Sequence, residues 1–444
     1  MSEKIMKKSR VLIAALLGMV MVAALTMWGC SGSGGTSGYG DPSATTTKSA
    51  AIIDAATLKG WIDEGKLNAP LGSRDRVVVL STSTAADWTA KGHIPGAVRL
   101  DTTETAKDRI EGLTLATSMM PDGPMMDGII QRLGIDANTT IVFSIPKNAS
   151  IYSQSVPFWN FRYWGFSRDR LKILNGGDDA WDVAGLALST DAVEKYTAST
   201  YSVSKNAALK DVVRFSLGEM FSMVDALIAT PVLKDTVQMI DVRGFTTSPY
   251  LTNALRLSGG TMYLTRLNGD STKNFVYPDK ATFETRLATM AVKDGSTDVF
   301  ASATKRTVVM CAGSTSASPS FVLFDAVLNV SEGYIGMYDG SAGQWNNYNS
   351  VRLKNAYPNT IATVAQRNAW SFNVYTSTVS SKNRAQGTFK SYSSALSGIW
   401  SIFSPVLAPT HLDMNQIENI DKAYISPAAT TTSTSGGGSN PGGC

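Results

Sequence analysis

Apolar residues along this 444-residue chain fall into short blocks that follow two different spacings. Blocks of four or five adjacent apolar or β-branched residues are typical of strands buried on both faces, whereas apolar residues three or four apart predict helices. The predicted strands are Arg76–Leu80, Thr140–Phe143, Leu171–Leu174, Val237–Asp241 and Arg306–Met310. The predicted helices are Asp127–Leu133, Pro157–Trp164, Leu217–Ile228 and Phe321–Asn329. Strands that alternate with helices predict an α/β fold with parallel sheets covered by helices on both faces.

The alternation occurs twice, which indicates a degenerate internal repeat. Thr139–Ser144 corresponds to Arg306–Cys311, and Asn175–Trp181 corresponds with the same internal spacing to Asp339–Trp345. Between these anchors the first copy is three residues longer, and it has Ser144 where the second copy has Cys311. The sequence therefore predicts two α/β domains of related design.

Cys311 stands where the last predicted strand meets a loop of small residues that feeds the following helix. The loop residues are Ala312, Gly313, Ser314, Thr315, Ser316 and Ala317. Backbone N–H groups at such a junction favour an anion, so we expect the loop to lower the thiol pKa of Cys311. The alternative is a buried Cys that acts only as a small hydrophobic residue.

Four motifs carry a resemblance to a known family. Cys311–Ala317 resembles the active-site loop of rhodanese-type sulfurtransferases, and Met337–Trp345 is similar to the Tyr-Asp-Gly-Ser…Trp signature that follows it in tandem rhodaneses. Lys91–Asp101 contains the Gly-His-Ile-Pro-Gly-Ala signature of the first domain, and Leu174–Trp181 resembles the element that closes that domain. The motifs keep the family's order over roughly residues 51–349.

The resemblance implies a role for individual residues. Cys311 would carry a persulfide, and residues 312–317 would bind the substrate through their backbone. Asp241-Val242-Arg243 resembles the second domain's Asp-x-Arg element, so Arg243 would bind the anionic end of a sulfur donor, because guanidinium suits such groups. The alternative for Arg243 is a structural pair with Asp241.

Other motif residues are expected to be structural. His93 lies in the first copy, where hydrogen bonding within the fold is a better expectation than catalysis, and Asp339 and Gly340 belong to the structural part of their motif. The second copy lacks the His-Ile-Pro-Gly-Ala block and has Leu255–Met262 in its place. A serine hydroxyl at position 144 cannot carry a persulfide, so the first copy is expected to be catalytically silent.

The pattern divides the chain into six segments. They are residues 1–29, a lipoprotein signal peptide; 30–50, a flexible linker; 51–200, an inactive rhodanese-like domain; 211–350, a rhodanese-like domain with the active cysteine; 351–427, a C-terminal extension; and 428–444, a disordered tail. The tail is rich in Gly, Ser and Thr and ends in Cys444, which is predicted to form an intermolecular bond or to receive sulfur; the alternative is a tail thiol without a role.

The N-terminus has the pattern of an export signal. Four basic residues precede an apolar run from Val11 to Met27, and Gly29-Cys30 follows. The Gly-Cys junction resembles a bacterial lipoprotein processing site, so Cys30 is expected to carry lipid; an uncleaved membrane anchor is the alternative. Ser31 after that cysteine favours the outer membrane of a bacterial cell envelope as the location.

Charge and composition limit the partners. The whole chain has a net charge of +4, and residues 1–29 hold four of its 40 basic and one of its 36 acidic residues, which leaves 36 − 35 = +1. A nearly neutral chain carries no electrostatic signature of nucleic-acid binding. We expect no cofactor and no metal, because no nucleotide-binding or metal-ligand motif is present.

The sequence thus favours a sulfurtransferase that moves sulfane sulfur from a small anion, thiosulfate or 3-mercaptopyruvate, to a thiol or cyanide-like acceptor. The neutral loop is nearer to that of mercaptopyruvate enzymes. The alternative function is a non-catalytic accessory lipoprotein in a cell-envelope assembly, possible partners being other envelope proteins. The missing His-Ile-Pro-Gly-Ala block and the long extension favour that alternative, and the retained Cys311 opposes it.

Overall fold

The structure is a computed structural model that describes residues 50–111, 114–192, 197–206, 209–220, 237–242, 255–256, 265–266, 275–289, 306–346 and 415–426. The predictions made for Cys30, Arg243 and Cys444 lie outside these residues. Within the described ranges, no helix is long and apolar enough to cross a membrane.

The first copy is built on a five-stranded parallel sheet. Its strands are β1 (Ile52–Ile53), β2 (Val77–Ser83), β3 (Val98–Asp101), β6 (Thr140–Ser144) and β7 (Leu171–Leu174). They lie in the order β1-β7-β6-β2-β3, so β2 and β6 are central. All seven residues of β2 are buried, as expected for a strand covered on both faces.

Helices cover this sheet. They are α1 (Ala55–Asp63), α2 (Ala85–Ala90), α3 (Gly123–Arg132), α4 (Tyr152–Tyr163) and α5 (Gly177–Val183). Side chains of Asp54, Thr84 and Asp122 accept hydrogen bonds from backbone N–H groups in the first turns of α1, α2 and α3, which explains where those helices begin.

The second copy repeats the central part of this topology. Its parallel sheet comprises β8 (Val237–Asp241), β9 (Leu255–Arg256), β12 (Arg306–Met310) and β13 (Ile335–Met337), in the order β13-β12-β8-β9. The order matches β7-β6-β2-β3 of the first copy, which confirms the predicted α/β fold and its repeat. Helices α6 (Lys280–Thr289), α7 (Ser318–Val322) and α8 (Ser341–Asn346) belong to this copy.

Several predicted elements have different bounds in the structure. The strands at residues 171–174, 237–241 and 306–310 are confirmed. Helix α4 begins five residues before the predicted Pro157, because the helix accommodates that proline in its interior. The predicted helix Phe321–Asn329 is instead α7 followed by a π-helical turn at Leu323–Val327. Only residues 217–220 of the predicted helix 217–228 are described, and they are helical.

Two hairpins were not predicted. Strands β4 (Lys107–Glu111) and β5 (Thr114–Met119) form one antiparallel pair, and β10 (Thr265–Arg266) and β11 (Phe275–Val276) form another. The β4–β5 hairpin belongs to the first copy in sequence, but its second strand reaches the second copy near Cys311.

One continuous apolar core joins the two copies. Phe158 and Phe161 of α4 share this core with Phe321 and Phe324 of the second copy. A buried carboxylate, Asp325, lies at the same interface and accepts hydrogen bonds from the first copy's Arg162 and Arg168. The two copies therefore pack as parts of one body rather than as separate modules.

Helix α9 (Gln416–Ile425) shows that part of the C-terminal extension packs on the first copy. Its Asp421, 1% exposed, accepts two hydrogen bonds from Arg109 and one from the Tyr163 hydroxyl. Tyr424 donates to Asp127, and its ring lies over Gly123, where a side chain would overlap it. The helix is thus anchored through buried polar contacts that join residues about 260 to 310 positions apart.

Candidate active site at Cys311

Cys311 follows the last residue of β12, at the carboxyl end of the second sheet. Its side chain is buried, with 2% exposed. The chain then turns sharply, since Ser314 has a φ of 55°, a left-handed conformation that non-glycine residues rarely adopt. A 3₁₀ turn at Thr315–Ala317 leads into α7. Backbone strain of this kind is common where a loop must present a functional group.

Backbone N–H groups surround the sulfur as the sequence predicts. Gly313, Ser316 and Ala317 donate backbone hydrogen bonds towards the Cys311 thiol, and Ser341 contributes through its side chain. The predicted lowering of the thiol pKa is nevertheless wrong. Burial raises the pKa of the Cys311 thiol above its ordinary value and outweighs these hydrogen bonds, because removing an anion from water costs more than the bonds return.

Ser341 organises the loop, although the sequence analysis did not select it as a site residue. Its buried hydroxyl accepts hydrogen bonds from the backbone N–H of Cys311 at 3.1 Å and of Ser314 at 3.3 Å, and it donates to the Tyr338 carbonyl at 2.7 Å. The Tyr-Asp-Gly-Ser motif pointed to this segment but not to this function. One hydroxyl thus connects both ends of the tight turn that contains the cysteine.

Asp339, two residues before Ser341, is held in place by two hydrogen-bond donors. It accepts from the guanidinium of Arg214 at 3.0 Å and from the backbone N–H of Gly340 at 3.1 Å. Arg214 is completely buried and also pairs with Glu111 of β4 and Glu418 of α9. The site therefore rests on an ion cluster whose members come from four separate parts of the chain.

Charge in this cluster is unbalanced, with three carboxylates around Arg214. Burial disfavours the charged guanidinium, but the carboxylates outweigh it and hold the pKa of Arg214 above its usual range. Burial raises the pKa of Glu111 in spite of its pairing with Arg214. Arg214 could not be recognised from the sequence, because a lone Arg after the linker carries no motif.

A small pocket lies beside the loop. Its cavity volume is about 40 Å³, and it is lined by Ala116, Thr117, Ala312, Gly313, Gly340, Gly343 and Gln344. Ala116 and Thr117 belong to β5 of the first copy, and Ala312 and Gly313 follow Cys311. Gly340 directly precedes α8, and Gly343 and Gln344 lie within it. The hydroxyl of Ser314 donates to the Ser118 carbonyl at 2.8 Å, which holds the hairpin against the loop. Both copies therefore build one site.

The corresponding position of the first copy has different chemistry. Ser144 is fully buried, and its hydroxyl donates to Asp178 at 2.6 Å. Burial raises the pKa of Asp178 to about 8, although the bond from Ser144 opposes the shift. Ser144 has an oxygen where Cys311 has a sulfur, so no persulfide can form at this position.

The remaining predicted site residues are placed as follows. Asp241 ends β8 and is in register with Met310, directly beside the cysteine strand, and Arg243 lies outside the described residues. His93 lies in the first copy, 3% exposed, with its ring stacked on Trp88 at 3.5 Å and Nδ1 3.2 Å from the Trp88 carbonyl. Its backbone pairs with Ser189. Within the loop, Ala312 and Thr315 are exposed, Gly313 and Ser316 are partly buried, and Ser314 and Ala317 are buried.

Comparison with known proteins gives the following similarities. No protein-family model matches the chain. A thiosulfate sulfurtransferase from Corynebacterium glutamicum is 34% identical over 137 residues, which is 31% of this chain and 42% of that protein. A curated relative from Mycobacterium bovis is 25% identical over 153 residues and is matched over 50% of its length. The chain spans about half the length of the curated relatives that it matches.

Solved structures are similar in fold. The crystal structure of Tum1 from Saccharomyces cerevisiae matches with a TM-score of 0.51 and 17% identity over 68% of this chain and 96% of that one. The 3-mercaptopyruvate sulfotransferase SseA from Escherichia coli, described with the "Rhodanese" fold, covers 66% of this chain and 98% of its own at a TM-score of 0.46 and 19% identity. Identities this low bear on the fold alone.

Proposed function

We propose that this chain, whose two parallel sheets have the rhodanese fold, is a sulfurtransferase that carries sulfane sulfur on Cys311. The observation that supports this most strongly is the placement of the Cys311 thiol at a strand end, among backbone N–H groups of Gly313, Ser316 and Ala317. Groups of this kind stabilise negative charge that develops on a buried sulfur. The similarity to a thiosulfate sulfurtransferase supports the same reaction class.

The proposed reaction has two halves. The Cys311 thiolate attacks the outer sulfur of thiosulfate, a Cys–S–S bond forms, and the S–S bond of the donor breaks with release of sulfite. Cyanide or a thiolate then attacks the outer sulfur of the persulfide, and thiocyanate or a new persulfide leaves while the Cys311 thiolate is regenerated. With 3-mercaptopyruvate as donor, the C–S bond breaks, its electron pair stays on the carbon, and the three-carbon fragment leaves as the enolate of pyruvate, which takes up a proton.

The raised pKa of Cys311 has a consequence for the first half. A protonated thiol is a poor nucleophile, so the reaction requires loss of the thiol proton before attack. The N–H groups of the loop stabilise the anion once it forms, and a substrate that excludes water strengthens those bonds. In this proposal Arg243 orients the anionic end of the donor, and the transfer assay below, applied to Arg243→Met, tests that role.

The test is a transfer assay with Cys311→Ser as the variant. The parent protein with thiosulfate or 3-mercaptopyruvate plus cyanide should form thiocyanate, and Cys311→Ser should not. Mass spectrometry after donor treatment should show about 32 Da added to the peptide that contains Cys311, and cyanide should remove it. Volume is nearly conserved by this change, so the fold should persist. An active Cys311→Ser protein would mean that another residue, such as Cys444, carries the sulfur. A parent inactive with every donor would favour the accessory-protein alternative.

We also propose that the chain is anchored by lipid on Cys30 in a bacterial cell envelope, on the outer membrane. The basic and apolar segments before Gly29-Cys30 support this proposal. Stable anchoring requires two or more acyl chains. Cys30→Ala should leave an unprocessed precursor of higher mass in cells; if that variant is processed and fractionates like the parent, the anchor is of another kind.

A further inference from the structure

Gln344 lies at the pocket beside the Cys311 loop with its side-chain amide unsatisfied. The residue is 0% exposed, and within the described part of the chain neither Nε2 nor Oε1 has a hydrogen-bond partner. Buried amides nearly always have partners, since an unpaired buried polar group costs free energy. Gln344 is also one of the pocket's lining residues. An unpaired amide beside a pocket is placed to form a hydrogen bond with a molecule that enters the pocket.

The backbone holds Gln344 in this position. Gln344 donates its backbone N–H to the Gly340 carbonyl at 2.8 Å, and its side chain folds back across Gly340. A methyl group at Gly340 would overlap Oε1 and Cδ of Gln344, so only glycine leaves room for this arrangement. The neighbouring Gly343 donates its N–H to the Ala312 carbonyl at 2.8 Å, which fixes the helix start against the cysteine loop.

The other residues that line the pocket provide few polar side chains that could bind a ligand. Among the described lining residues, Ala116 and Ala312 contribute methyl groups, three glycines contribute backbone, and Thr117 is exposed. None of these lining side chains is ionisable. The Gln344 amide is therefore the buried polar side chain among the residues that line the pocket. Ala312, the residue that follows Cys311 in the chain, lines the same pocket.

We propose that Gln344 is the specificity-determining residue of this site, and that its amide N–H donates to an oxygen of a small sulfur donor held in the pocket. The inference rests on the proposed sulfur transfer and deepens it. A neutral amide can bind a sulfonate or carboxylate oxygen without adding a charge to the pocket. The chemical class of donor is thus a small oxygen-bearing sulfur compound whose sulfur reaches Cys311 while its oxygen meets Gln344.

The experiment uses the full chain and three variants. Gln344→Met keeps an unbranched side chain of similar size and removes the amide, and Gln344→Glu replaces the amide by a carboxylate. Gln154→Met is the matched control, because Gln154 is also 0% exposed with both amide atoms unpaired and it does not line the pocket. Circular dichroism establishes that each variant is folded.

Two measurements are made on each variant. The first is kcat/KM for thiosulfate with cyanide as acceptor. The second is the ratio of the rates at which Cys311 is alkylated by iodoacetate and by iodoacetamide, followed on the Cys311 peptide by mass spectrometry. These reagents differ mainly in charge, so their ratio reports the pocket's chemistry independently of sulfur transfer and of the thiol pKa, which affects both rates equally.

Gln344→Met should lower kcat/KM for thiosulfate roughly ten- to a hundred-fold, the expected effect of losing one hydrogen bond to a charged group. Gln344→Glu should lower it further and reduce the iodoacetate-to-iodoacetamide ratio by roughly tenfold, because like charges repel in a poorly hydrated pocket. Gln154→Met should change neither measurement.

Other outcomes contradict the inference, or separate it from the proposed function. If Gln344→Met and Gln344→Glu match the parent in both measurements, the amide does not contact the substrate and the inference is wrong. If Gln154→Met has the same effects as Gln344→Met, the cause is general packing and the inference is again wrong. If the parent transfers no sulfur but the alkylation ratio responds to the Gln344 variants alone, the proposed function fails while the pocket contact is supported.

Discussion

At the scale of single residues, burial raises the pKa of an acidic group at the strand end of each copy: the Cys311 thiol in the second and the Asp178 carboxyl beside Ser144 in the first. Cys311 in the second copy and Ser144 in the first copy both lie at the carboxyl end of a central strand and are buried. Burial raises the pKa of the Cys311 thiol despite three backbone donors and the Ser341 hydroxyl. It also raises the pKa of Asp178, the partner of Ser144, to about 8.

Asp178 is expected to make stability fall as pH rises. Its pKa of about 8 in the folded protein means that the folded state keeps a proton that the unfolded chain loses near pH 4. The resulting stability is fully present below pH 4 and is lost as pH rises towards 8, by up to ~1.4 kcal/mol per pH unit. Asp178→Asn cannot ionise, so its urea midpoint should depend less on pH between 5 and 8 and should exceed the parent's above pH 7.

Asp182→Asn serves as the control, since Asp182 lies on the same helix but is 48% exposed in its pair with Lys147. Its urea midpoint should follow the parent's pH dependence. If the urea midpoints of the parent and Asp178→Asn change equally with pH, Asp178 is ionised in the folded protein.

At the scale of elements, the start of α8 determines the shape of the cysteine loop. The hydroxyl of Ser341 receives the N–H groups of Cys311 and Ser314, and the N–H of Ala342 bonds to the Cys311 carbonyl at 3.0 Å. The loop and helix are therefore one hydrogen-bonded unit although about 30 residues separate them. The β4–β5 hairpin closes this unit on its open side through Ser118.

Ser341→Ala should destabilise the protein by ~1–3 kcal/mol, because it leaves two buried N–H groups without their acceptor. It should also slow sulfur transfer, since the turn at Ser314 is no longer held. Denaturant unfolding measures the first effect, and thiocyanate formation measures the second.

Ser320→Ala is the matched control: Ser320 is similarly buried, but among the described residues its hydroxyl has no hydrogen-bond partner, so its removal should not destabilise the protein. If both variants are equally stable, Ser341 does not support the loop.

At the scale of the whole molecule, the C-terminal helix α9 connects distant parts of the site. Glu418 reaches the Arg214 cluster that holds Asp339, and Asp421 pairs with Arg109 of the β4 strand. The same hairpin supplies Ala116 and Thr117 to the pocket. Helix α9 therefore stabilises the hairpin that forms one wall of the site.

Asp421→Ala should cost ~3–5 kcal/mol of unfolding free energy, because it leaves the buried guanidinium of Arg109 without its counter-ion. The control on the same helix is Lys422→Ala, which removes an exposed pair with Asp211 and should cost ~0–1 kcal/mol. Urea unfolding compares the two. Similar losses for both variants would mean that α9 contributes no buried ion pair to stability.

The sequence by itself determined the central strands, the repeat and the place of Cys311. Periodicity located three strands with their bounds, because a buried parallel strand must be apolar on both faces whatever surrounds it. The repeat predicted two domains of related design, and the position of Cys311 followed from a strand that ends in a small-residue loop. These are local properties, since they depend on residues adjacent in the chain.

Only the tertiary structure decided how the site works. The pKa of Cys311 depends on burial, which no neighbouring residue reveals, and the hydrogen-bond donors around the sulfur proved weaker than that burial. Arg214 belongs to no motif, and Gln344 lies inside the Met337–Trp345 motif at a position that the signature does not mark. Contacts with residues distant in sequence place Arg214, and a pocket formed by two copies places Gln344. Long-range packing sets such contacts, and a pattern of hydrophobic and polar positions does not encode which distant surfaces will meet.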